Sequence, residues 1–510
     1  MSTVTRRRVL MGAATAAGLL ALDACGSTRT ATSAVSPTSA TVRQAEQGRR
    51  QAGQRLVAAH LTARPATLDL GGPKVGSWAY NDQLPGPVLR AGAGDLLRVT
   101  LDNQLPAPTS VHWHGIALRN DMDGVPGVTQ QPIAPGAWFT YEFTVPDPGT
   151  YFYHPHVGVQ LDRGLYGVLL VDDPHDAGRY DADWTVVLDD WVDGTGRSPD
   201  DVLAALRANG SGRGMTGMGG GGMGDGSSSP STPGTGMSGM GETMTSPVLG
   251  GAGDVRYPHY LANGRVPASP ETFTGRPGQR LRLRLINAGS DTAFRVALDG
   301  HRMTITHSDG YRVIPVATDA LIIGMGERFD VEVTLSDGVF PLVAAAEGKT
   351  GHARALIRTG SGRPPATTVL PDELHGQVLL GTDLQAGDAA RLTGRAIDRS
   401  HDLVLGGGMG GYRWTINAKT FPESGPLTIS QGQRVRLRFT NHTPMFHPMH
   451  LHGHTFAVAG GGPRKDTVIV RPMQTVGVDF DATNPGQWVS HCHNVYHAES
   501  GMMVTLSYRD

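Results

Sequence analysis

The stretch Gly432–Asn441 reads GQRVRLRFTN, a glycine turn followed by alternating basic and apolar side chains that end at an asparagine. Alternation with a period of two predicts a β-strand with one buried and one solvent-facing side. Two earlier stretches repeat the pattern, Gly94–Asn103 (GDLLRVTLDN) and Gly278–Asn287 (GQRLRLRLIN). Three copies of one strand pattern, each preceded by an Asn-containing turn, predict three β-sandwich domains built on the same plan.

Length and composition agree with this all-β interpretation. The chain has 510 residues, with 70 Gly, 34 Pro and 18% charged residues, which favours turn-rich β domains over helical bundles. A net charge of −2 gives no basis for a nucleic-acid partner. Two cysteines, Cys25 and Cys492, exclude a disulfide scaffold and a cysteine-based zinc array.

The N-terminal 26 residues carry the features of an export signal. Thr5–Leu10 contains three consecutive arginines and resembles a twin-arginine export signal. The apolar run Met11–Leu22 that follows is too short to span a bilayer as a helix. Leu22–Gly26 is similar to a bacterial lipoprotein signal in which Cys25 would take the lipid, and the alternative is ordinary cleavage after Ala24. We therefore expect an exported protein of the cell envelope, anchored through Cys25 or otherwise periplasmic or secreted.

The repeats divide the remaining chain into domains and connections. Residues 27–55, rich in Ser, Thr, Ala, Gln and Arg, predict a flexible tether. The three sandwiches are expected at residues 56–176, 177–360 and 401–510, with a linker at 361–400 that lacks clear alternation.

A methionine-rich insertion at 208–246 interrupts the middle domain. This insertion is rich in Gly, Ser, Pro and Thr, a composition that does not build a packed core. Thioethers are soft ligands that suit Cu(I), so a copper-handling role competes with that of a low-complexity linker in which methionine is incidental. Its methionines are Met215, Met218, Met223, Met237, Met240 and Met244.

Histidines concentrate in four short windows that hold eleven of the 20 in the chain. Residues i and i+2 of a strand share a face, so each His-x-His points two imidazoles the same way. Two pairs come from the first domain and two from the last, which predicts a polynuclear metal site where these domains meet. In the middle domain His307–Gly310 (HSDG) takes roughly the place of a His-x-His, so this domain is expected to be a spacer without ligands. The four pairs are His112 and His114, His154 and His156, His450 and His452, and His491 and His493.

Cys492 lies between two of these histidines, so its sulfur points to the opposite face of the strand. A thiolate there, with His447 and His497, gives a His2Cys set, and Met502 lies five residues further on as a weak axial thioether. His2Cys with a distant methionine is the ligand set of blue copper sites. Zinc is the alternative metal, but a structural zinc site closes with four ligands and the chain offers twelve candidates.

Together these motifs resemble those of the three-domain multicopper oxidases, such as laccases and bacterial copper-efflux oxidases, over residues 56–510. The resemblance implies three cupredoxin-like Greek-key sandwiches and four copper ions. It implies a type 1 copper held by His447, Cys492, His497 and Met502. It also implies a type 2 copper on His112 and His450, and a type 3 pair on His114, His154, His156, His452, His491 and His493. His454 is left outside these sets, and either a packing role or a role in supporting a ligand residue is expected.

The resemblance further implies that electrons from a small-molecule or metal-ion donor pass through Cys492 to a trinuclear cluster that reduces dioxygen to water. Proton donors are needed for that reaction. Asp123 lies where the family carries such an acid, and the alternative is a turn-forming Asp-Gly. Ala498 stands where many members carry a glutamate, which leaves Glu499 as the candidate second donor.

Three functions compete. The leading one is an exported oxidase that converts Cu(I) to Cu(II) in copper tolerance, supported by the four motifs and the methionine-rich insertion. The second is a laccase-like phenol oxidase or ferroxidase. The third is a copper-binding or electron-carrier protein, against which the eight paired histidines argue, because an electron carrier needs only the His2Cys site.

Overall fold

The computed structural model describes residues 33–173, 180–212, 244–408 and 411–509. The elements below lie within Ala34–Asp510, which forms one unit. The predicted export signal with Cys25 lies outside the described residues, as do all of the insertion's methionines except Met244. Among the described helices, none combines the length and the apolar character needed to span a bilayer.

The first sandwich contains two four-stranded sheets, with strand orders β2-β1-β4-β6 and β3-β8-β7-β5. A helix, α1 (Ala40–Arg49), precedes it, and short 3-10 helices lie at Asn120–Met122 and Gln160–Arg163. Its strands are β1 (Leu56–Asp69), β2 (Lys74–Tyr80), β3 (Gly86–Gly92), β4 (Leu96–Asn103), β5 (His112–His114), β6 (Trp138–Thr144), β7 (Gly149–His154) and β8 (Gly167–Asp172).

The middle sandwich contains two six-stranded sheets, ordered β12-β9-β14-β19-β16-β17 and β13-β21-β20-β15-β18-β22, plus the short pair β10-β11. Helix α2 (Pro199–Gly212) follows its first strand. Its strands are β9 (Ala182–Trp191), β10 (Thr245–Ser246), β11 (Gly250–Gly251), β12 (His259–Ala262), β13 (Thr272–Thr274), β14 (Arg280–Asn287), β15 (Phe294–Leu298), β16 (Met303–Ser308), β17 (Tyr311–Thr318), β18 (Ala320–Ile323), β19 (Arg328–Thr334), β20 (Val339–Ala346), β21 (His352–Arg358) and β22 (Val378–Leu379).

The last sandwich contains a six-stranded and a five-stranded sheet, ordered β24-β23-β26-β31-β28-β29 and β25-β33-β32-β27-β30. A short helix, α3 (Val495–Glu499), follows β32. Its strands are β23 (Arg399–Gly407), β24 (Trp414–Ile416), β25 (Leu427–Ile429), β26 (Arg434–Asn441), β27 (His447–Leu451), β28 (Phe456–Val458), β29 (Arg464–Lys465), β30 (Thr467–Val470), β31 (Thr475–Asp481), β32 (Gln487–Cys492) and β33 (Met503–Tyr508).

The repeated stretches form the same strand in each domain, namely β4, β14 and β26. Each is third in its sheet and pairs in parallel with an earlier strand and antiparallel with a later one. In β26 the apolar set Val435, Leu437 and Phe439 is fully buried, as the alternation requires. The all-β prediction of three sandwiches is therefore confirmed.

The position assigned to His307–Gly310 was wrong. The strand orders make β15 the counterpart of the histidine-bearing β27, whereas His307 and Ser308 end β16, the counterpart of β28. Strand β15 reads FRVAL, without histidine. Matching by distance along the chain failed here because the middle domain spaces its strands differently from the last domain.

The tether prediction for residues 27–55 was wrong over α1. Ser39 caps this helix by accepting a hydrogen bond from the Val42 N–H, and the side chains of Val42 and Glu46 are buried. The Glu46 carboxylate accepts hydrogen bonds of 2.9 Å from the backbone N–H and the hydroxyl of Thr144. Composition missed the helix because its partners lie about a hundred residues along the chain.

Two other predicted boundaries differ from the structure. The predicted linker 361–400 contributes β22, which pairs in parallel with β18 and so extends a middle-domain sheet. It also contains 3-10 helices at Asp372–His375, Gly381–Asp383 and Asp388–Ala390. The predicted insertion 208–246 overlaps α2 at one end and β10 at the other, so both ends belong to folded elements.

Candidate metal centres

Strand pairing brings the four His-x-His motifs together in twos. In the first domain β5 and β7 pair antiparallel with His112 opposite His154. In the last domain β27 and β32 pair antiparallel with His450 opposite His491. Seven of the eight imidazoles are buried and the eighth, that of His156, is half-buried.

The two domains place these imidazoles in three mixed groups. The ligand nitrogens within each group lie within 4.8 Å of one another, and every group contains residues of both domains. Rings also stack across the domain boundary, with centroids 3.8 Å apart for His112 on His452 and for His114 on His450. The groups are His112, His114 and His450; His114, His154 and His493; and His156, His452 and His491.

In several imidazoles one ring nitrogen is hydrogen-bonded outward while the other faces the cluster without a protein partner. His450 Nδ1–H donates to the Asp466 carbonyl at 2.9 Å, and His114 Nε2–H donates to Asp466 Oδ1 at 3.1 Å. Such outer partners fix the tautomer and leave a lone pair for a metal. The buried nitrogens without a partner include His112 Nε2, His114 Nδ1, His154 Nε2, His450 Nε2 and both ring nitrogens of His493.

Burial holds these imidazoles in the neutral form that binds metals. Desolvation, followed by repulsion from neighbouring imidazoles, lowers the pKa of His491 to about 3. The same causes lower the pKa well below its usual value for His114, His154, His156, His452 and His493.

A second buried group forms on the opposite side of β32. Cys492 Sγ lies 3.6 Å from Nδ1 of both His447 and His497, and the two Nδ1 atoms are 3.2 Å apart. All three side chains are fully buried, and burial raises the pKa of the Cys492 thiol. A cation bound to the sulfur would offset this burial and hold it as a thiolate.

A short capped helix and backbone hydrogen bonds bring His497 and Met502 close to Cys492. The Asn494 side chain caps α3 by accepting from the N–H groups of Tyr496 and His497. The Met502 N–H donates to the His497 carbonyl, and the Cys492 N–H donates to the Met502 carbonyl, both at 3.0 Å. The predicted axial methionine, whose side chain is fully buried, is thus tied by backbone bonds to both ligands.

Asp123 lies at the cluster itself. Its Oδ2 accepts a 3.0 Å hydrogen bond from His452 Nδ1, and its Oδ1 lies 3.2 Å from His112 Nδ1. The Asp-Gly pair also lies in a turn: Gly124 has φ +81°, and a Cβ there would come within 1.8 Å of the Val111 carbonyl.

Glu499 and His454 lie at the periphery of the clusters. Burial raises the pKa of Glu499, which lines a cavity of about 30 Å³ together with His154, His156 and His491. His454 Nε2 is 2.6 Å from the Tyr508 hydroxyl, and its Nδ1 is 3.1 Å from the backbone carbonyl of the predicted ligand His452.

Two acidic residues at the site were missed from the sequence. Asp254 Oδ2 accepts from His497 Nε2 at 2.9 Å and from the Tyr412 hydroxyl at 2.7 Å. Asp466 contacts His114 and His450, as described above. Neither belongs to a spaced motif, and each reaches its histidine through tertiary packing, so no signal in the sequence pointed to them.

Comparison with known proteins agrees with this geometry. Family models described as multicopper oxidase match residues 63–176, 183–362 and 398–510. The chain is 50% identical to multicopper oxidase MmcO of Mycobacterium tuberculosis, over 98% of this chain and 96% of the relative. It is 29% identical to a copper resistance protein A homolog of Pseudomonas syringae pv. tomato, over 87% and 90%. The laccase structure from Botrytis aclada superimposes with a TM-score of 0.69 at 25% identity, over 89% and 88%.

Proposed function

The chain belongs to the multicopper oxidases, a family of copper-binding oxidoreductases, and from this premise we propose that its electron donor is Cu(I) and its role is copper tolerance. In this proposal one-electron oxidation of Cu(I) to Cu(II) is coupled to four-electron reduction of dioxygen to water.

The donor sets fit four copper ions. His447, Cys492, His497 and Met502 offer the soft set expected for one copper. The ring nitrogens that the eight paired histidines bring together, five of these residues having one without a partner, suit three more. When bound, the copper ions supply the one-electron redox chemistry and the binding of dioxygen. We assign the type 2 ion to His112 and His450 and the type 3 pair to the other six.

The chain supplies a short covalent connection between the two centres. Cys492 belongs to one centre, and its neighbours His491 and His493 belong to the other, so electrons need only cross adjacent residues of β32. On the outer side, the Asp254 carboxylate and the Tyr412 hydroxyl form a hydrogen-bonded route from His497 toward the surface. Asp254 therefore orients the imidazole through which we propose that electrons enter.

Asp123 and Glu499 are the proposed proton donors. Asp123 touches imidazoles of two groups, so a proton held on its carboxyl lies at the cluster wall. Glu499 and His156 both line the small cavity, and both also line an outer groove of about 520 Å³. Burial raises the pKa of Glu499, which favours the protonated carboxyl over the carboxylate.

The attachment of the methionine-rich insertion is the observation that carries the choice of Cu(I). Before it, Arg207 of α2 donates from Nη2 to the Glu499 carbonyl at 2.7 Å, two residues beyond His497. After it, the Gly251 N–H donates to the Pro444 carbonyl at 2.9 Å, three residues before His447.

Both ends are thus fixed to the chain segments that carry the type 1 ligands, which supports a Cu(I)-capturing role for the thioethers of Met215, Met218, Met223, Met237, Met240 and Met244. Relatives named for copper resistance support the same role.

Oxygen consumption with Cu(I), Fe(II) and a phenol on one copper-loaded sample tests the proposal. Replacing the six methionines by leucine removes the thioethers at nearly constant volume. We expect kcat/KM for Cu(I) to fall on the order of tenfold, or about 1.4 kcal/mol, with phenol turnover unchanged. The matched control changes Ser227, Ser228 and Ser229 of the same insertion to alanine. Equal Cu(I) kinetics in both variants, or phenol turnover far above Cu(I) turnover, would contradict it.

A laccase-like function is the second candidate. The outer groove is lined by Tyr412 and Phe421 as well as Arg207 and Arg413, so an aromatic substrate could stack beside the Tyr412 hydroxyl that contacts Asp254. Phenol turnover that exceeds Cu(I) turnover would favour it. A ferroxidase is tested in the same assay, and an electron carrier would consume no dioxygen with any donor.

We also propose export to the cell envelope, based on the arginine-rich start of the chain. Lipid attachment at Cys25 is tested by comparing membrane-bound and released protein for the native chain and Cys25→Ala. We expect the variant to be released, and equal partition of the two proteins would exclude the anchor.

A further inference from the structure

The middle domain borders the histidine cluster although none of its described residues belongs to a candidate metal-binding group. The turn between β18 and β19 contains Gly326, at φ +83°. A Cβ added there would lie 2.8 Å from Cδ2 of His493 and 3.0 Å from Cε1 of His114. Backbone of the middle domain therefore forms one wall of the cluster.

Two residues further on, Arg328 joins all three domains. Its fully buried guanidinium donates from Nη1 and Nη2 to the two Asp466 carboxylate oxygens, both at 2.7 Å. Its Nε donates to the Thr150 carbonyl of the first domain, and Nη1 also donates to the Gly326 carbonyl, both at 3.1 Å. This fork geometry fixes the plane of the Asp466 carboxylate.

The orientation of Asp466 in turn controls two imidazoles. Its Oδ1 accepts from His114 Nε2 at 3.1 Å and lies 3.4 Å from His450 Nδ1, whose proton goes to the Asp466 carbonyl. The two rings stack at 3.8 Å with planes 14° apart. The other ring nitrogen of each imidazole, His114 Nδ1 or His450 Nε2, faces the cluster and has no hydrogen-bond partner.

Further buried charges of the middle and last domains brace this pair. Asp309 Oδ1 accepts from the Arg328 N–H at 2.9 Å, and its Oδ2 accepts from the Asp466 N–H at 3.2 Å. Lys465 Nζ donates to Ser308 Oγ at 2.7 Å and lies 3.1 Å from the Asp309 carboxylate. Ser308 and Asp309 belong to the HSDG stretch, which therefore binds the segment carrying Asp466.

The first domain accommodates the pair with a glycine. Gly115 directly follows His114 and has φ +86°. A Cβ at this position would come within 2.5 Å of Arg328 Nη2 and 2.6 Å of Asp466 Oδ2. The last residue of the His-Trp-His-Gly motif is thus in close contact with the Arg328–Asp466 pair.

We propose that Arg328 is a positioning residue of the trinuclear centre, holding Asp466 so that His114 and His450 present their inward nitrogens to copper. This inference rests on the proposed assignment of these two histidines to the type 3 and type 2 ions. The middle domain thereby contributes to the metal centre without supplying a ligand.

The test replaces Arg328 by lysine, which keeps the charge but cannot make two parallel hydrogen bonds to one carboxylate. Loss of a residue that orients a metal ligand typically weakens metal binding by about 10- to 100-fold. In the copper-loaded variant we therefore expect type 2 copper to be lost at a chelator concentration about 10- to 100-fold lower. Its EPR hyperfine splitting should also change, while the blue absorption of the type 1 site stays the same.

The matched control is Arg434→Lys, which changes a buried arginine that also forms a forked pair, with Asp481, within the last domain's sheet. It should leave type 2 binding and its EPR signal unaltered. If Arg328→Lys does not fold, the double variant Arg328→Gln with Asp466→Asn removes both charges together and is expected to show the same weakened type 2 binding. Type 2 binding and EPR parameters equal to those of the native protein in either Arg328 variant would overturn the proposal.

The variant His450→Ala distinguishes a failure of the positioning role of Arg328 from a wrong assignment of the copper ligands. Loss of the type 2 signal in His450→Ala with an unaltered signal in Arg328→Lys would reject the positioning role alone. Retention of the type 2 signal in His450→Ala would reject the assignment and with it the role of Arg328. We expect His450→Ala to lose the type 2 signal and Arg328→Lys to bind type 2 copper more weakly.

Discussion

Strands β15 and β27 occupy the same place in two sandwiches of the same topology, yet one reads FRVAL and the other HPMHL. All five residues of β27 are buried, and it contributes a histidine to each of two metal-binding groups. Strand β15 places four of its five residues in the core and binds no metal through them. The fold therefore supplies positions, and the side chains decide whether a position becomes a metal centre.

The largest effect in this comparison is expected at Cys492 of β32. Cys492→Ser removes the thiolate and should abolish both the blue absorption and oxygen uptake, because electrons then have no copper through which to enter. The corresponding strand of the middle domain, β20, provides the control Ala344→Ser, which should retain both properties. Oxygen uptake by Cys492→Ser at the native rate would break the comparison.

Asp123 should give the next largest effect. Asp123→Asn keeps the shape but removes the ionisable proton, and general acid catalysis typically contributes about 100-fold or more. We expect kcat for oxygen reduction to fall by about 100-fold. Anaerobic reduction of the type 1 site by the donor should be unchanged. The control is Asp330→Asn, a buried acid of the middle domain paired with Arg282. Equal losses in both variants would indicate a general effect on folding.

Asp254 should give a smaller effect, at the outer centre only. Asp254→Asn weakens the hydrogen bond that orients His497, and we expect anaerobic reduction of the type 1 site by Cu(I) to slow by about tenfold, the lower end for residues that orient a metal ligand. Oxygen reduction by the pre-reduced enzyme should keep its native rate. If oxygen reduction slows and reduction of the type 1 site by Cu(I) does not, the proposed route of electron entry is wrong.

The smallest effect is expected in the middle domain at Ser308. Ser308→Ala removes one hydrogen bond to the buried Lys465 ammonium, at a cost of about 1.5–3 kcal/mol for a bond to a charged group. The free energy of unfolding, measured with denaturant, should fall by this amount with copper content unchanged. Loss of copper in this variant would show that the Ser308–Lys465 contact is needed to hold the metal centre, which we do not expect.

The same comparison explains what the sequence predicted. The ligand motifs are local, because period-two alternation in one strand fixes which side chains share a face, and Cys492 with its two neighbours reveals two centres at once. Asp254, Asp466 and Arg328 escaped detection because each acts across a domain boundary. Helix α1 and the true place of HSDG were missed for a related reason, since burial and strand order depend on tertiary packing rather than on spacing along the chain.

The ratio of Cu(I) oxidised to dioxygen consumed shows whether this chain couples Cu(I) oxidation to the four-electron reduction of dioxygen. Simultaneous recording of Cu(II) formation and oxygen concentration, with an assay for peroxide, gives this ratio on the copper-loaded protein. We expect four Cu(I) oxidised per dioxygen and no peroxide, because two linked centres deliver four electrons before the product leaves. A ratio of two with accumulation of peroxide, or oxidation at the rate seen without protein, would contradict it.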